Sequence, residues 1–537
     1  MSASRRPTTV PAVARTVFAI AVVVLAAIVV AVHLVRLPEP LGVDQGLFVD
    51  FARWVPRGWL PYRDIFDSKP PLFLYWWTVA GLSHGDIVRA AWWWEGAWLA
   101  ATLVAVFALC ARVWDRWVGL AAAALLFLGL WSPAWGAFWS RAQAEELLAL
   151  PMLGAAWFAW RGVERAPLAL AAGVLVGVCG LFKIPSMALA LSWAVLWMAC
   201  TPALGAAARV GLMVIGAAIP WGLAFAWFAA HGATAEFIEG VFVYHRYNAA
   251  FIAPPMTDVL RDYATKMVSD APLLLVAAAA GFYRLSRART DARSAAVAAK
   301  NMHWLAAWIV ATMAAVVLQR QLAGYQHILP LPALAVAGAY GIVDTARAFR
   351  EPGARLASGA ALVVLGGLLA RDVRAWSQAY APDLACLTGR IPRDAYLRQI
   401  QQGSYSMADE ELAAAWLRDH TAPTDGILVW GLSPGVYALA DRHPCTRWPF
   451  HKILLTDAPL SRMWPGLDGR REAFLDRLQR DPPAYILIGQ HDQNGFEPQD
   501  SYTSLVRFRA LRDVLQRDYA PDGQLGRFLR AKRGGLP

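Results

Sequence analysis

Apolar runs long enough to cross a bilayer recur through the first two thirds of this 537-residue chain. The first covers 17–35. Others follow at 87–110, 117–134, 146–160, 166–182, 186–201, 208–230, 271–283, 303–318, 328–343 and 356–371. In lipid each backbone N–H and C=O must find its partner within the segment, so runs of this kind fold as helices. With 58% hydrophobic and 17% charged residues, the chain carries less charge than the roughly 25% of a soluble domain. The expected class is therefore a polytopic α-helical membrane protein with about eleven spans.

Charge sets the orientation. The links ARVWDR, WRGVERAP, RLSRARTDARS and RAFREPGAR are short and Arg-rich, as cytoplasmic loops are. They also explain the net charge of +11 without a nucleic-acid partner. The start, MSASRRPTTVPAVAR, is basic, and the first run is followed by His33, Arg36 and Pro38 rather than a small-residue cleavage site. It reads as a retained span with a cytoplasmic N-terminus. Eleven spans from there make 1–371 a membrane domain, with an outer loop at 37–85, and leave 372–537 outside.

The tail is different material. MADEELAAAWLRDH has apolar residues at helical spacing. GILVWG and AYILIG are short apolar runs ended by Gly, as buried strands of a small α/β domain are. Cys386 and Cys445 lie in this tail, and the sequence leaves their pairing open. Neither a CxxC motif nor a Cys/His ligand spacing is apparent, which argues against a structural zinc site.

Chemistry-bearing residues concentrate in the outer loops. The densest cluster is DQGLFVDFARWVPRGWLPYRDIFDSKPPLFLY, from Asp44 to Tyr75, with Asp44, Asp64, Asp67 and Lys69. Charges are costly to order at a membrane surface, so such a cluster marks a site. Arg141, Gln143, Glu145 and Glu146 follow in a second outer turn. Lys183 ends a span, His245 and Arg246 sit in the loop 231–270, and Arg320, Tyr325 and His327 lie between two late spans. These residue types fit glycosyl transfer from a phosphate carrier. A carboxylate takes the acceptor proton, and Lys or Arg holds the leaving phosphate. Asp44 has an alternative reading as a helix cap. Glu145 and Glu146 have one as first-turn acids, and Lys69 and Lys183 as cations reaching for the interface.

DQGLF followed by PYRDIFDSKPPLFLY resembles the first outer loop of the family 39 glycosyltransferases, the bacterial branch of the protein O-mannosyltransferase superfamily, related to the aminoarabinose transferases. AEELLALP, LFKIP, GYQHILPLPAL and VWGLSPGVYALADRHPCTRWPF resemble its later segments. The resemblance implies a GT-C fold and an inverting transfer from a polyprenyl-phosphate-linked sugar, on the outer face of the cytoplasmic membrane, to a glycan, lipid or protein acceptor. It implies Asp44 as the catalytic base and Glu145 as a second catalytic carboxylate, with Asp67, Lys69 (on the carrier phosphate), Arg141, Lys183, Arg320 and His327 binding substrate. The aminoarabinose branch has an acid directly before this lysine, where it helps bind a metal. Here Ser68 intervenes, so both a divalent metal and the identity of the sugar stay open. The alternative class is a polytopic transporter or lipid flippase. Such a protein places ionisable groups at mid-membrane and often shows two related halves.

Overall fold

The structure, a computed structural model, describes residues 12–83, 85–251, 254–287, 291–401, 403–454, 464–494 and 499–534. Part of the basic start (residues 1–11) and part of the basic loop 284–294 (residues 288–290) lie outside them.

Every one of the eleven apolar runs falls on a helix. Ala12–Val35, Ile87–Val113, Arg116–Leu130, Ala149–Gly162, Leu168–Phe182, Leu189–Cys200, Ala203–Ala230, Pro272–Arg287, Ala292–Gln319, Leu331–Ala348 and Arg355–Ala379 follow in order. Among the described residues, six helices are individually long and apolar enough to cross a membrane. Met256–Asp270 with Pro272–Arg287, bent by 91°, makes seven if that pair is one span. The others are shorter and wedge between the long ones.

Burial separates lipid-facing helices from the centre. Leu204, Leu356 and Val363 stand out at 88%, 91% and 76% exposed, an arrangement only lipid makes cheap. Leu331–Ala348, by contrast, is buried from Leu331 through Gly341. With no hydrophobic drive between helices in lipid, small residues bring them together. Gly173 of Leu168–Phe182 lies against the Met213 backbone of Ala203–Ala230, and Gly216 returns the contact on Leu170 and Val174.

Two outer segments read as loops contain helices. The first holds Val43–Trp54 and Pro71–Thr78, and the second holds Thr234–Ile238, Tyr244–Phe251 and Met256–Asp270. Their mixed polar and apolar composition hides the helical period, and packing against both domains supplies what propensity does not.

The tail forms the expected α/β domain. β1 (Ile427–Trp430), β2 (Tyr485–Gly489), β3 (Tyr519–Leu525) and β4 (Phe528–Arg533) make one sheet in the order β1-β2-β4-β3. β1 and β2 are parallel, and β4 runs antiparallel to both β2 and β3. β1 and β2 are the two expected strands, buried at every position. Met407–His420 is the expected helix, capped by the Ser406 hydroxyl on the Asp409 N–H at 3.3 Å. Cys386 and Cys445 are unpaired and belong to different clusters of the core.

The domains are knitted together. Gly46 on Val43–Trp54 abuts Gly435 of the tail so closely that a Cβ at 46 would lie 2.7 Å from the Gly435 nitrogen. Arg57 pairs with Asp441 at 2.7 Å, and the Phe66 N–H donates to the Arg447 carbonyl at 2.8 Å.

Candidate active site

Asp44 sits in the first turn of Val43–Trp54. Gly42 is the residue at the cap position, with no side-chain capping bond, so the capping alternative fails. The Asp44 carboxylate instead accepts from Gln143 Nε2 at 3.1 Å and from the Tyr325 hydroxyl. Next to it, Gln45 Nε2 donates to the carbonyls of Phe138, Trp139 and Arg141 at 3.1, 2.9 and 2.8 Å. That triple anchor fixes the start of the helix against the second outer turn, so the position of Asp44 is set from two directions.

Lys69 is presented by a shaped turn. Asp67 Oδ1 accepts the N–H groups of Ser68 at 2.5 Å and Lys69 at 3.1 Å. The Tyr62 hydroxyl donates to the Lys69 carbonyl at 2.7 Å, and His245 Nε2 donates to the Ser68 carbonyl at 2.7 Å. Arg447 from the outer domain holds the far side, bonding the Tyr62 carbonyl and Glu239, both at 2.6 Å. Thus the N–H and carbonyl groups of both Ser68 and Lys69 are tied. Burial raises the Asp67 carboxyl above its usual range against the pull of Lys69 and the two backbone N–H groups. Burial also pushes the His245 imidazole down to about 4, keeping it neutral as a donor.

The Lys69 amine lies 5.3 Å from the centre of the Phe48 ring and makes no hydrogen bond to protein among the described residues. Burial alone would lower its pKa, but Asp67, Asp44 and Glu145 together raise it, so it stays charged. Glu145 forms a direct ion pair with Lys183, whose amine lies 5.7 Å from the centre of the Tyr325 ring. Burial of Lys183 lowers its pKa despite that partner. Burial, then Asp44 and Glu145, raises the Tyr325 phenol far above its usual value, leaving it a proton donor.

The structure therefore brings together Asp44, Asp67, Lys69, Glu145, Lys183 and Tyr325, as convergence on one face requires. Four segments far apart in sequence supply them. Three expected binding residues stand differently. Arg141 is buried, bonded to Glu95 at 2.6 Å, Glu39 at 2.9 Å and the Arg36 carbonyl at 2.6 Å, over the Trp92 ring at 4.0 Å. Its charge is spent inside the protein, and it anchors the turn bearing Gln143 and Glu145. His327 is stacked between Trp135 and Tyr263, with ring centres 5.9 and 5.2 Å away, and its Nδ1 faces the Ala323 and Gly324 carbonyls. Arg320, in a left-handed conformation with φ 58°, is half-buried; its N–H donates to the Val317 carbonyl at 3.1 Å, and its guanidinium has no hydrogen-bond or ion-pair partner among the described residues. Glu146 separates from Glu145. It accepts from Trp131 Nε1 at 2.8 Å and the Ala142 N–H at 2.7 Å, and holds the turn. Asp64 caps its own turn on the Leu60 N–H at 2.7 Å. Arg246 is exposed.

The Arg36–Glu39–Glu95–Arg141 network escaped the sequence reading. Its signal was present, since Glu95 is the lone acid in the apolar helix Ile87–Val113, and such acids have partners. The candidate site does not fit a resident metal in this arrangement. Among the described residues its carboxylates do not converge as three ligands, and two lysines stand among them. A separate cavity of about 1090 Å³ opens between Leu37–Leu41, Asp86–Arg89 and Glu410–Glu411. Neither Asp44 nor Lys69 lines it.

No protein-family model matches the sequence, and no curated protein matches it. Solved structures do. ArnT from Cupriavidus metallidurans bound to undecaprenyl phosphate is similar with a TM-score of 0.56 at 16% identity, over 95% of this chain and 97% of that one. Its apo state is similar with a TM-score of 0.53 at the same identity and coverage. The likeness spans both domains, and the chain is a multi-pass membrane protein with the GT-C fold and a C-terminal α/β domain.

Proposed function

We propose that this protein is an integral membrane glycosyltransferase that moves a sugar from a polyprenyl-phosphate donor to an acceptor on the outer face of the cytoplasmic membrane. The observation that carries the reading is the Lys69 amine, charged, free of hydrogen bonds to protein among the described residues, and held beside Asp44 by a turn with tied backbone groups. A cation so placed suits a phosphate, and a carboxylate beside it suits an acceptor hydroxyl. The shared fold with a protein crystallised with undecaprenyl phosphate supports the same donor class.

In this mechanism the donor lipid lies in the bilayer with its phosphate against Lys69, and Arg320 is a second cation for it. Asp44 takes the acceptor proton. The acceptor oxygen attacks the anomeric carbon opposite the phosphate, and the carbon–oxygen bond to phosphate breaks with its electron pair. Polyprenyl phosphate leaves and the configuration inverts. Gln143 and Tyr325 orient Asp44, and the Glu145–Lys183 pair fixes the second wall. Asp67 shapes the turn, while Arg141 and His327 act by positioning. The ionisable groups of the candidate site lie at helix ends and in the segments between helices rather than within the spans, which favours an enzyme over a transporter.

The test is to supply membranes containing the protein with radiolabelled polyprenyl-phosphate mannose, arabinose and glucose in turn. Label passing to a product with one donor supports the reading and names the sugar. Sugar carriers that are neither bound nor turned over by folded protein overturn it.

A further inference from the structure

Away from the candidate active site, the outer domain brings three metal-ligating side chains to one point. His443, Cys445 and Asp481 each offer a ligand atom within 4.8 Å of the others. His443 Nε2 lies 3.0 Å from Asp481 Oδ2. A tetrahedral zinc with bonds of about 2.0–2.3 Å holds its ligands roughly 3.3–3.8 Å apart, so small side-chain rotations complete the set.

The backbone around the three is fixed. The Ile427 N–H donates to the His443 carbonyl at 3.0 Å, and the Cys445 N–H donates to the Ile427 carbonyl at 3.1 Å. This brackets the two ligands against β1. Asp481 ends the helix Leu467–Arg480, with its own N–H on the Arg477 carbonyl at 2.9 Å. Gly426 forms the floor, where a Cβ would collide with the Cys445 sulfur and lie 2.7 Å from His443 Nε2. A side chain there would fill the space the ligands occupy. The trp rings at 54 and 59 in the first outer loop stand edge-on to His443, at 6.1 and 6.3 Å.

We propose that His443, Cys445 and Asp481 bind one zinc ion, joining the strand edge to the helix Leu467–Arg480. Thiolate and imidazole select a borderline cation over calcium or magnesium. Thiolate plus carboxylate balances the double positive charge, and the cysteine proton leaves to solvent on binding. Cys445 is buried, while the side chains of His443 and Asp481 are 20% and 34% exposed, so the fourth position faces water. Arg477 and Asp425 are the other charged groups acting on the sulfur, with opposite signs. The expectation of no Cys/His ligand spacing overlooks this set, because two ligands are separated by one residue and the third comes from a distant helix.

The full chain in detergent is stripped with chelator and titrated with cobalt(II), then with zinc. The expected result is about one cobalt per chain with a thiolate-to-metal charge-transfer band, abolished by zinc. Carboxylates of the candidate active site give no such band, so the two sites are told apart. The band is lost in Cys445→Ser and weakened in Asp481→Asn. Absence of the band in folded wild-type protein, or its persistence in Cys445→Ser, overturns the assignment. The wild-type measurement stands even if a variant does not fold.

Discussion

Replacing Arg141 with Met distinguishes a buried anchor from a substrate ligand. The guanidinium is fully enclosed and shared by Glu95 at 2.6 Å and Glu39 at 2.9 Å. Removing it leaves Glu95 without its ion-pair partner, while Glu39 keeps Arg36 at 3.0 Å. Breaking a buried pair from one side costs about 3–5 kcal/mol. The Arg36 carbonyl and the Trp92 face also lose their partner. Removing the stranded charge as well, in Arg141→Met with Glu95→Gln, should recover about 1–3 kcal/mol of that loss. The assay is thermal unfolding of purified protein in detergent, read alongside sugar transfer. The anchor account expects a lower melting temperature in the single variant and partial recovery in the double variant. An unchanged melting temperature with transfer abolished would refute it and place Arg141 on the substrate.

Lys69→Met should leave the melting temperature within a few degrees and cut transfer by about 10²–10³, the scale of losing one positioned charge-stabilising group. Full activity in initial-rate measurements would remove the phosphate role. Gly46→Ala pushes a methyl into the Gly435 backbone, a clash of about 1–3 kcal/mol, and should lower both melting temperature and transfer, checked by calorimetry and rate. The pH dependence follows from His245. Its folded pKa, about 4, lies below the ordinary 6.5, so the neutral ring's contribution is complete above 6.5 and is lost as pH falls toward 4. A His245→Gln variant, which keeps a donor to Ser68, should flatten that acid limb of stability measured by thermal unfolding. An unchanged limb would show that other groups set it.

The fold was legible because its main signal is one-dimensional. Eleven apolar runs became eleven helices, and GILVWG and AYILIG became β1 and β2. Sequence did not show which helices are short wedges, since length and burial depend on neighbours such as Gly173 and Gly216. In the candidate site, residue types in DSKPP and AEELL marked segments that the fold brings together, but not the direction each side chain takes. Glu145 and Glu146 are adjacent, yet one meets Lys183 and the other Trp131. Arg141 read as a free cation because its partners, Glu39 and Glu95, come from other segments. The same blindness hid His443, Cys445 and Asp481.

The most direct test of the central claim is label transfer by Asp44→Asn, measured with polyprenyl-phosphate binding on the same preparation. Asn keeps the shape and still accepts from Gln143 or Tyr325, but it cannot take the acceptor proton. The account predicts retained binding with transfer down by about 10²–10⁴, the scale of general-base catalysis. Transfer at the wild-type rate would contradict it.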